Sequence, residues 1–335
     1  MADRIALYLQ DNYSLQDAIK YVQYAELRGF EAVWQAESRL ARDAIVPMAA
    51  FAATTTRIKI GSAVINTWTR NAALIAATFL TLDDLAPDRI LLGLGSWYEP
   101  LARMTGINRQ KPLLAMREVV QTVRALLAGQ RVTYRGEFVQ MENVSLDVIY
   151  GRKEPRMVPL YIATTGPKMA ALGGEIGDGI LLNHLVAPVQ NAQIISEMER
   201  GLHKAGRRPE SIDRPQLIVC SVDRDREKAL NRARKLVTQS LMQQPQVMKA
   251  SGIRQELLDE IAQISSWTLD PDAIQEAARL VPDDVVQLVT AAGGPDEVRA
   301  KVREYIAHGA TSPVLYPLGD DIHYLIDVFA DRLTA

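Results

Sequence analysis

The chain has few of the residues that build covalent or metal-linked structure. Among its 335 residues there is one cysteine, Cys220, so neither an intrachain disulfide nor a zinc cluster of thiolates can form. The four histidines, His184, His203, His308 and His323, lack the spacing typical of metal ligands. We therefore expect no metal site. A single cysteine is also typical of a reducing environment, which favours a cytoplasmic location.

Long apolar runs and blocks of like charge are also missing. No run reaches the roughly 20 apolar residues of a membrane span, and the opening MADRIALYLQDN lacks the apolar segment of a signal peptide. The 38 basic and 40 acidic residues nearly cancel, and they are scattered along the chain. This balance predicts neither nucleic acid nor a membrane as a partner, and leaves a small-molecule substrate as the expectation.

Short apolar runs alternate with longer helical patterns along most of the chain. Runs such as Ile90–Leu94 are apolar throughout, as is typical of strands buried on both faces of a parallel sheet. The pattern predicts a strand over Ile58–Ile65 and helices over Leu15–Leu27, Ala72–Leu85 and Ile322–Leu333. Strand and helix alternate about eight times, which indicates an α/β fold. The first strand, Ile5–Leu9, is followed by Gln-Asp-Asn-Tyr, without the glycine-rich turn of an open dinucleotide-binding sheet. We therefore predict a (β/α)8 TIM barrel rather than a doubly wound sheet.

We expect one domain over residues 1–335, with two insertions. Residues 131–147 have the pattern of a hairpin, with a turn at Arg135–Gly136. Residues 224–282 are almost wholly helical in pattern, long enough for three or four helices beside the barrel or over its mouth. Val285–Thr290 is rich in β-branched residues and predicts a short strand.

The active site of such a barrel lies at the carboxyl ends of its strands. Four predicted strand ends have unusual polar or small residues: Gln35–Arg39, Gly61–Thr67, Gly93–Trp97 and Ala163–Lys168. In the last of these, Gly166 and Pro167 begin a helix whose free N–H groups suit a phosphate. Each segment also has an ordinary alternative: a solvated loop, a tight corner of the barrel or a simple helix cap. No G-x-S-x-G sequence is present, so acyl transfer is not expected.

Three longer segments carry a resemblance to a known family. They are IGSAVINTWTRNAALIAATFLTLDDLAPDRILLGLGS (60–96), GINRQKPLLAMREVVQTVRALLAGQ (106–130) and YIATTGPKMAALGGEIGDGILLN (161–183). Together they resemble the bacterial luciferase-like superfamily, in particular its branch that uses the deazaflavin coenzyme F-420 and includes methylenetetrahydromethanopterin reductase. The resemblance covers most of residues 1–190 and is weaker over 210–290. It implies a barrel with insertions, a homodimer, and an oxidoreductase that transfers hydride between the deazaflavin C5 and a small organic substrate.

The same resemblance implies which residues contact the cofactor. It implies a cis peptide bond between Ala63 and Val64, in a bulge that presses on the middle ring of the cofactor. Glu37 and Ser38 take the place of residues that contact the ring system. The other implied contacts are Asn66 beyond the bulge, Gly95 and Ser96 beside the ring or its ribityl chain, Thr164, Thr165, Gly166, Pro167 and Lys168 at the phosphate, and Leu182, Asn183 and His184 at the far edge.

Glu37, His184 and Tyr8 are candidate catalytic residues, because each lies in or just after a predicted strand and could deliver a proton. The sequence departs from the family pattern at three places. Ile65 stands where a threonine is often found, and Thr164-Thr165 replaces a more glycine-rich phosphate segment. Tyr8 stands where the methanopterin reductase has a glutamate, which argues against methylenetetrahydromethanopterin as the substrate.

Two other functions are compatible with the same fold. An FMN-dependent monooxygenase would bind its phosphate at the same segment and would consume oxygen with reduced FMN. A non-catalytic protein would bind F-420 or a flavin without turning over a substrate.

Overall fold

A computed structural model describes residues 4–164, 166–265 and 270–330. Backbone contacts group the described residues into two units. The first unit contains residues 6–181 and 196–214, and the second contains residues 4–5, 182–195 and 215–330. The organisation of residues 1–335 as one domain stays a prediction. None of the helices in the described ranges has the length and apolar character needed to cross a bilayer.

The first unit is built on a parallel sheet. Its strands are β1 (Ala6–Leu9), β2 (Ala32–Gln35), β3 (Lys59–Ser62), β4 (Ile65–Asn66), β5 (Ile90–Gly95), β6 (Val132–Arg135), β7 (Gln140–Val144), β8 (Leu160–Thr164) and β9 (Gly179–Leu182). Its helices are α1 (Leu15–Leu27), α2 (Ile45–Thr54), α3 (Ala72–Leu85), α4 (Glu99–Met104), α5 (Pro112–Leu127), α6 (Pro167–Ile176) and most of α7 (Asn191–Lys204). The sheet runs β1-β2-β3-β5-β8-β9, and β4 pairs with β5.

The second unit contains the remaining strands and most of the long helical region. Its strands are β10 (Pro215–Val222), β11 (Ala291–Gly293) and β12 (Ser312–Pro317). Its helices are α8 (Arg226–Gln243), α9 (Pro245–Ala250), α10 (Gln255–Ile264), α11 (Pro271–Ala278), α12 (Asp283–Val289), α13 (Pro295–Ala307) and α14 (Ile322–Ala330). Strand β10 is parallel to both β11 and β12, and its Gln216 pairs with Leu182, the last residue of β9.

Eight parallel strands therefore follow one another along the chain, separated by helices: β1, β2, β3, β5, β8, β9, β10 and β12. This is the (β/α)8 TIM barrel, as predicted from the sequence. Strands β5 and β10 are buried at every position, which accounts for their continuous apolar character. Cys220 lies buried in β10, and burial raises the pKa of its thiol.

The predicted hairpin is present as the antiparallel pair β6–β7. A buried carboxylate on α5 holds its turn: Glu118 accepts hydrogen bonds from the backbone N–H groups of Glu137, Phe138 and Val139 at 2.9, 2.8 and 2.9 Å. Burial by itself would raise the pKa of Glu118, but the three backbone donors outweigh it and hold the pKa below its usual value. The hairpin is thus fixed to the helix that precedes it.

Residues 224–282, predicted to be almost wholly helical, contain α8 to α11 between residues 226 and 278. The strand predicted at Val285–Thr290 is wrong, because α12 occupies Asp283–Val289 and the strand β11 follows at Ala291–Gly293. Pro282 occupies the N-cap position of this helix. Two aspartates lie in its first turn, where they interact favourably with the helix dipole. Val286 and Val289 are buried one helical turn apart, so tertiary packing overrides the β propensity of the sequence.

Three smaller differences concern element boundaries. Helix α4, which follows β5, was not predicted. The strand predicted over Ile58–Ile65 is divided into β3 and β4 by the bond between Ala63 and Val64. The last helix, predicted to extend to Leu333, is described as far as Ala330, and the remaining residues lie outside the described part of the chain.

Gly93 generates a test of the packing between β3 and β5. A Cβ atom at this position would lie 1.9 Å from the carbonyl oxygen of Ser62, whose hydroxyl also bonds the Gly93 backbone at 2.9 Å. We expect Gly93→Ala to lower the free energy of unfolding by at least about 2 kcal/mol, because backbone atoms must move. Gly166→Ala is the control, since an added Cβ there meets nothing within 4 Å. Equal losses in denaturant unfolding would contradict this account.

Candidate cofactor site

The ends of β4 and β5 lie against each other in the first unit. The peptide bond between Ala63 and Val64 is cis. A Cβ atom on Gly95 would lie 2.4 Å from Cγ2 of Val64, so the glycine is needed for the close approach of these two strand ends. The structure thus brings together three of the predicted contacts, Ala63, Val64 and Gly95.

Glu37, just beyond β2, is held by two donors. Its Oε1 accepts from Arg70 at 2.6 Å and its Oε2 accepts from the amide of Asn66 at 3.1 Å. Arg70 also donates to Asp43 at 2.5 Å. Glu37 and Arg70 are only 17% and 19% exposed, so water screens their ion pair less than it would at the surface. With both oxygens accepting, the carboxylate is arranged to hold the loop after β4 rather than to release a proton.

Asn66 organises that loop. Its Oδ1 accepts hydrogen bonds from the backbone N–H groups of Trp68 and Thr69, each at 2.9 Å, and from the Thr69 hydroxyl at 3.2 Å. The residue is 4% exposed, so its side chain is used within the protein. Asn66 thus connects Glu37 to the loop, and its predicted contact with the cofactor stays a prediction.

The segment after β5 is held by a residue that sequence reasoning missed. Arg109 donates to the carbonyl oxygens of Ser96 and Trp97 at 3.0 and 2.7 Å. The indole N–H of Trp68 donates to the same Ser96 oxygen at 3.0 Å. Trp97 has a φ of 59°, an uncommon conformation for a bulky residue. No local pattern marks Arg109, because its partners lie 12 and 13 residues away across a loop and a helix.

Two further predicted residues lie at the ends of β1 and β2. Tyr8 is 5% exposed, and its hydroxyl accepts a hydrogen bond from Gln10 at 2.9 Å. The Ser38 hydroxyl donates to Asp11 at 3.2 Å. Gln35, the last residue of β2, is fully buried, and its Oε1 atom has no hydrogen-bond partner among the described residues. Such an acceptor is unusual in a folded protein, which makes Gln35 a candidate ligand contact within the predicted segment Gln35–Arg39.

The predicted phosphate segment joins β8 to α6. Thr164 ends the strand, Thr165 lies outside the described residues, and Gly166 is the N-cap of a helix that begins at Pro167, as predicted. No described side chain caps this helix, and the space where a Gly166 side chain would lie is open. The first N–H groups of α6 are therefore available to an anion.

Lys168 lies to one side of this helix start. Its side chain lines a crevice of about 560 Å³ between α5, α6 and α7, together with Arg117, Glu175, Arg200 and Lys204. Hydrogen bonds from Arg117 and Lys204 outweigh partial burial and hold the pKa of Glu175 at about 2. The crevice lies on the helices, and Lys168 is its one member among the predicted cofactor contacts.

In the second unit, Leu182 ends β9 and is followed by Asn183 and His184. Gln216, which sequence reasoning missed, donates to the carbonyl oxygen of Asn183 and accepts from the amide of Asn191 at 2.7 Å. The His184 ring lies 6.1 Å from that of Tyr316 in an edge-to-face arrangement. Burial lowers the pKa of His184 to about 4, so the imidazole is neutral at pH 7 and the same burial opposes its protonation.

The described residues contain no group of three or more His, Cys, Asp or Glu side chains arranged to hold a metal ion. The fold and its polar strand ends are those at which (β/α)8-barrel enzymes hold their active sites. The chain belongs to the luciferase-like monooxygenase family, whose sequence profile matches residues 3–312. The resemblance stated from the sequence is thereby confirmed.

Relatives in this family cover nearly the whole chain. The chain is 30% identical to 5,10-methylenetetrahydromethanopterin reductase of Archaeoglobus fulgidus, over 90% of each chain. It is also 30% identical to the F-420-dependent glucose-6-phosphate dehydrogenase of Mycolicibacterium gilvum, over 88% of this chain and 84% of the relative. The solved structure of the coenzyme F-420-dependent tetrahydromethanopterin reductase from Methanopyrus kandleri is similar, with a TM-score of 0.89 and 25% identity over 99% of this chain and 98% of that chain.

Asn66→Ala tests the clamp on the loop after β4. We expect it to lower the free energy of unfolding by about 1–2 kcal/mol, because the N–H groups of Trp68 and Thr69 lose their acceptor, and to raise mobility in this loop. Asn71→Ala is a matched control: it removes an N-cap bond of 2.8 Å to Leu74 on α3, at a similar cost in stability. Hydrogen exchange of residues 67–70 separates the two variants, and equal protection would contradict the assignment.

His184 generates a prediction about pH. Its pKa is about 4 when folded and 6.5 as an ordinary histidine, so the unfolded chain binds more protons between these values. The free energy of unfolding should therefore fall as pH falls from 6.5 to 4, with no contribution from this group above that range. His184→Asn should flatten the slope, whereas His203→Asn, at an exposed position on α7, should leave it unchanged. An unchanged slope in His184→Asn would contradict burial as the cause.

Proposed function

We propose that this protein is a coenzyme F-420-dependent oxidoreductase that transfers hydride between the deazaflavin C5 and a small organic substrate. Two relatives over nearly the whole chain are named as F-420-dependent, the glucose-6-phosphate dehydrogenase and the tetrahydromethanopterin reductase, and the family profile covers almost the whole chain. The observation that carries the proposal is the first unit's set of strand ends, in which Val64, Gly95 and the loop after β4 are fixed by internal contacts. Rigid strand ends of this kind position a cofactor.

The residues present suit such a cofactor. When bound, the deazaflavin supplies a carbon that accepts or donates hydride, and the protein supplies orientation and electrostatics. We propose that Ala63, Val64, Gly95 and Ser96 border the ring, and that the buried Oε1 of Gln35 becomes an acceptor for the ligand. The open start of α6 suits the phosphate, with Thr164, Thr165, Gly166, Pro167 and Lys168 as its proposed contacts. For Ser38, Leu182, Asn183 and His184 the proposal rests on the family resemblance.

The three candidate catalytic residues differ in what they can do. We propose that Glu37 acts by holding Arg70 and Asn66, because both of its oxygens already accept hydrogen bonds. His184 follows the end of β9 and is neutral at pH 7, and it stays a candidate for proton transfer because of that position. Tyr8 is buried and hydrogen-bonded to Gln10, and it stays a candidate proton donor.

The substrates of the relatives and the presence of Tyr8 limit the range of possible substrates. The relatives act on methylenetetrahydromethanopterin and glucose-6-phosphate, and one structural neighbour of the same fold is a secondary alcohol dehydrogenase. Because Tyr8 stands where the methanopterin reductase has a glutamate, we propose a different small organic substrate. The homodimer and the cytoplasmic location also stay proposals, based on the resemblance and on the cysteine content.

Titration of the purified protein with oxidised F-420 and, separately, with FMN tests the cofactor. Trp68 and Trp97 are half-buried beside Ser96, so a bound ring should quench their fluorescence. We expect F-420 to bind at least about tenfold more tightly than FMN, a difference of 1.4 kcal/mol. Trp68→Phe should remove part of the signal without removing binding.

The other outcomes distinguish the alternative functions. Tight FMN binding with oxygen consumption and no F-420 binding would move the protein to the monooxygenases. Binding of F-420 without turnover across reductase and dehydrogenase substrates would indicate a binding protein. No binding of either cofactor would overturn the proposed function and leave the fold unaffected.

A further inference from the structure

An aromatic pair links the hairpin insertion to the loop after β4. The rings of Trp68 and Phe138 are 5.5 Å apart and meet edge to face at 88°. Both residues lie in the first unit, and both are half-buried, so part of each ring stays accessible. Phe138 is at the turn of the β6–β7 hairpin, an insertion that the barrel itself does not require.

Trp68 is fixed from two directions. Its backbone N–H donates to Asn66, and its indole N–H donates to the carbonyl oxygen of Ser96. The indole is therefore oriented by the two segments that the proposed function places beside the cofactor ring, one after β4 and one after β5. A side chain held in this way has little rotamer freedom left to lose when a ligand binds.

Phe138 is fixed independently of Trp68. Its backbone N–H donates to the buried carboxylate of Glu118 at 2.8 Å, and Glu118 binds the N–H groups of both neighbouring residues as well. On the surface of the hairpin, Lys111 and Glu137 form an ion pair at 2.8 Å. The ring of Phe138 is thus carried on a turn that α5 holds in place, rather than on a free loop.

The aromatic character of Trp68 and Phe138 indicates which kind of ligand the pair would contact. Aromatic rings supply apolar surface, and their faces and edges favour another flat ring. The charged side chains that flank the pair in the sequence are already engaged: Arg70 pairs with Glu37 and Asp43, and Glu137 pairs with Lys111. Arg109 binds the carbonyl oxygens of Ser96 and Trp97, and the Trp68 indole N–H is bonded. The accessible ring surfaces therefore offer shape and apolar contact, with no ionic group of their own.

We propose that Trp68 and Phe138 determine substrate specificity, by forming a wall that selects substrates with a flat, uncharged ring next to the reacting carbon. This inference rests on the proposed function, because the location of the substrate beside the pair follows from where the cofactor is placed. Neither residue takes part in the transfer itself. Phe138, which lies in the hairpin insertion, influences which substrate binds, whereas the barrel strands supply the cofactor contacts.

Two ketones that differ in one ring test the proposal. Acetophenone and acetone are titrated by calorimetry into the wild-type protein, with and without F-420. We expect acetophenone to bind at least about tenfold more tightly than acetone, the usual scale for burying an aromatic ring in a preformed contact. Phe138→Ala should bring the two affinities to within about threefold of each other, and Phe138→Leu, which keeps apolar bulk without a ring, should fall between.

Tyr134→Phe is the matched control. Tyr134 lies on the same hairpin, and its hydroxyl bonds Gln121 of α5 at 2.9 Å, so this variant disturbs the hairpin without touching the pair. It should keep the wild-type preference. Thermal unfolding and F-420 titration of each variant show whether the fold and the cofactor site persist.

Three results would overturn the proposal: equal binding of the two ketones by the wild type, no binding of acetophenone, or a preference that survives in Phe138→Ala. Failure of the proposed function has a different signature. In that case F-420 does not bind the wild-type protein, while the preference for acetophenone and its loss in Phe138→Ala are still measured without cofactor.

Discussion

The loop after β4 depends on one side chain. Asn66 accepts three hydrogen bonds from Trp68 and Thr69 and donates one to Glu37, so it joins the loop to the end of β2. Arg70 closes the same network from the far end of the loop. Because Asn66 is buried, each of these bonds forms where an unpaired polar group would be costly. The positions of Trp68 and, through its indole, of the Ser96 carbonyl follow from this arrangement.

Two glycines in β5 and the buried carboxylate of Glu118 determine two further sets of contacts in the first unit. Gly93 and Gly95 allow β5 to approach β3 and β4 more closely than any side chain would permit. Glu118 replaces water as the acceptor for three N–H groups in the turn of the hairpin. The two glycines allow the strand ends to pack closely. The bonds to Glu118 hold the turn in which Phe138 contacts Trp68 of the loop after β4. The loop after β4 and the hairpin insertion thus have separate supports, and they meet at the pair of Trp68 and Phe138.

Local sequence patterns were sufficient for most elements. The helices α1 and α3 have the predicted bounds, because Ser14 and Asn71 cap their first turns and their apolar residues recur at helical spacing. The pattern failed at α12, where a β-branched run folds as a helix against its neighbours. It also gave no sign that Asn66 and Glu37, both predicted as cofactor contacts, bind each other.

The sequence by itself determined the alternation of strand and helix, the parallel barrel, and the helix start at Gly166 and Pro167, since each depends on residues close together in the chain. Only the tertiary structure decided which side chains meet. Asn66 bonds a residue 29 positions away, Arg70 one 33 away, and Trp68 contacts a ring carried by an insertion. Such pairs leave no periodic or local signal, because their geometry is set by where strands end in space and not by spacing along the chain.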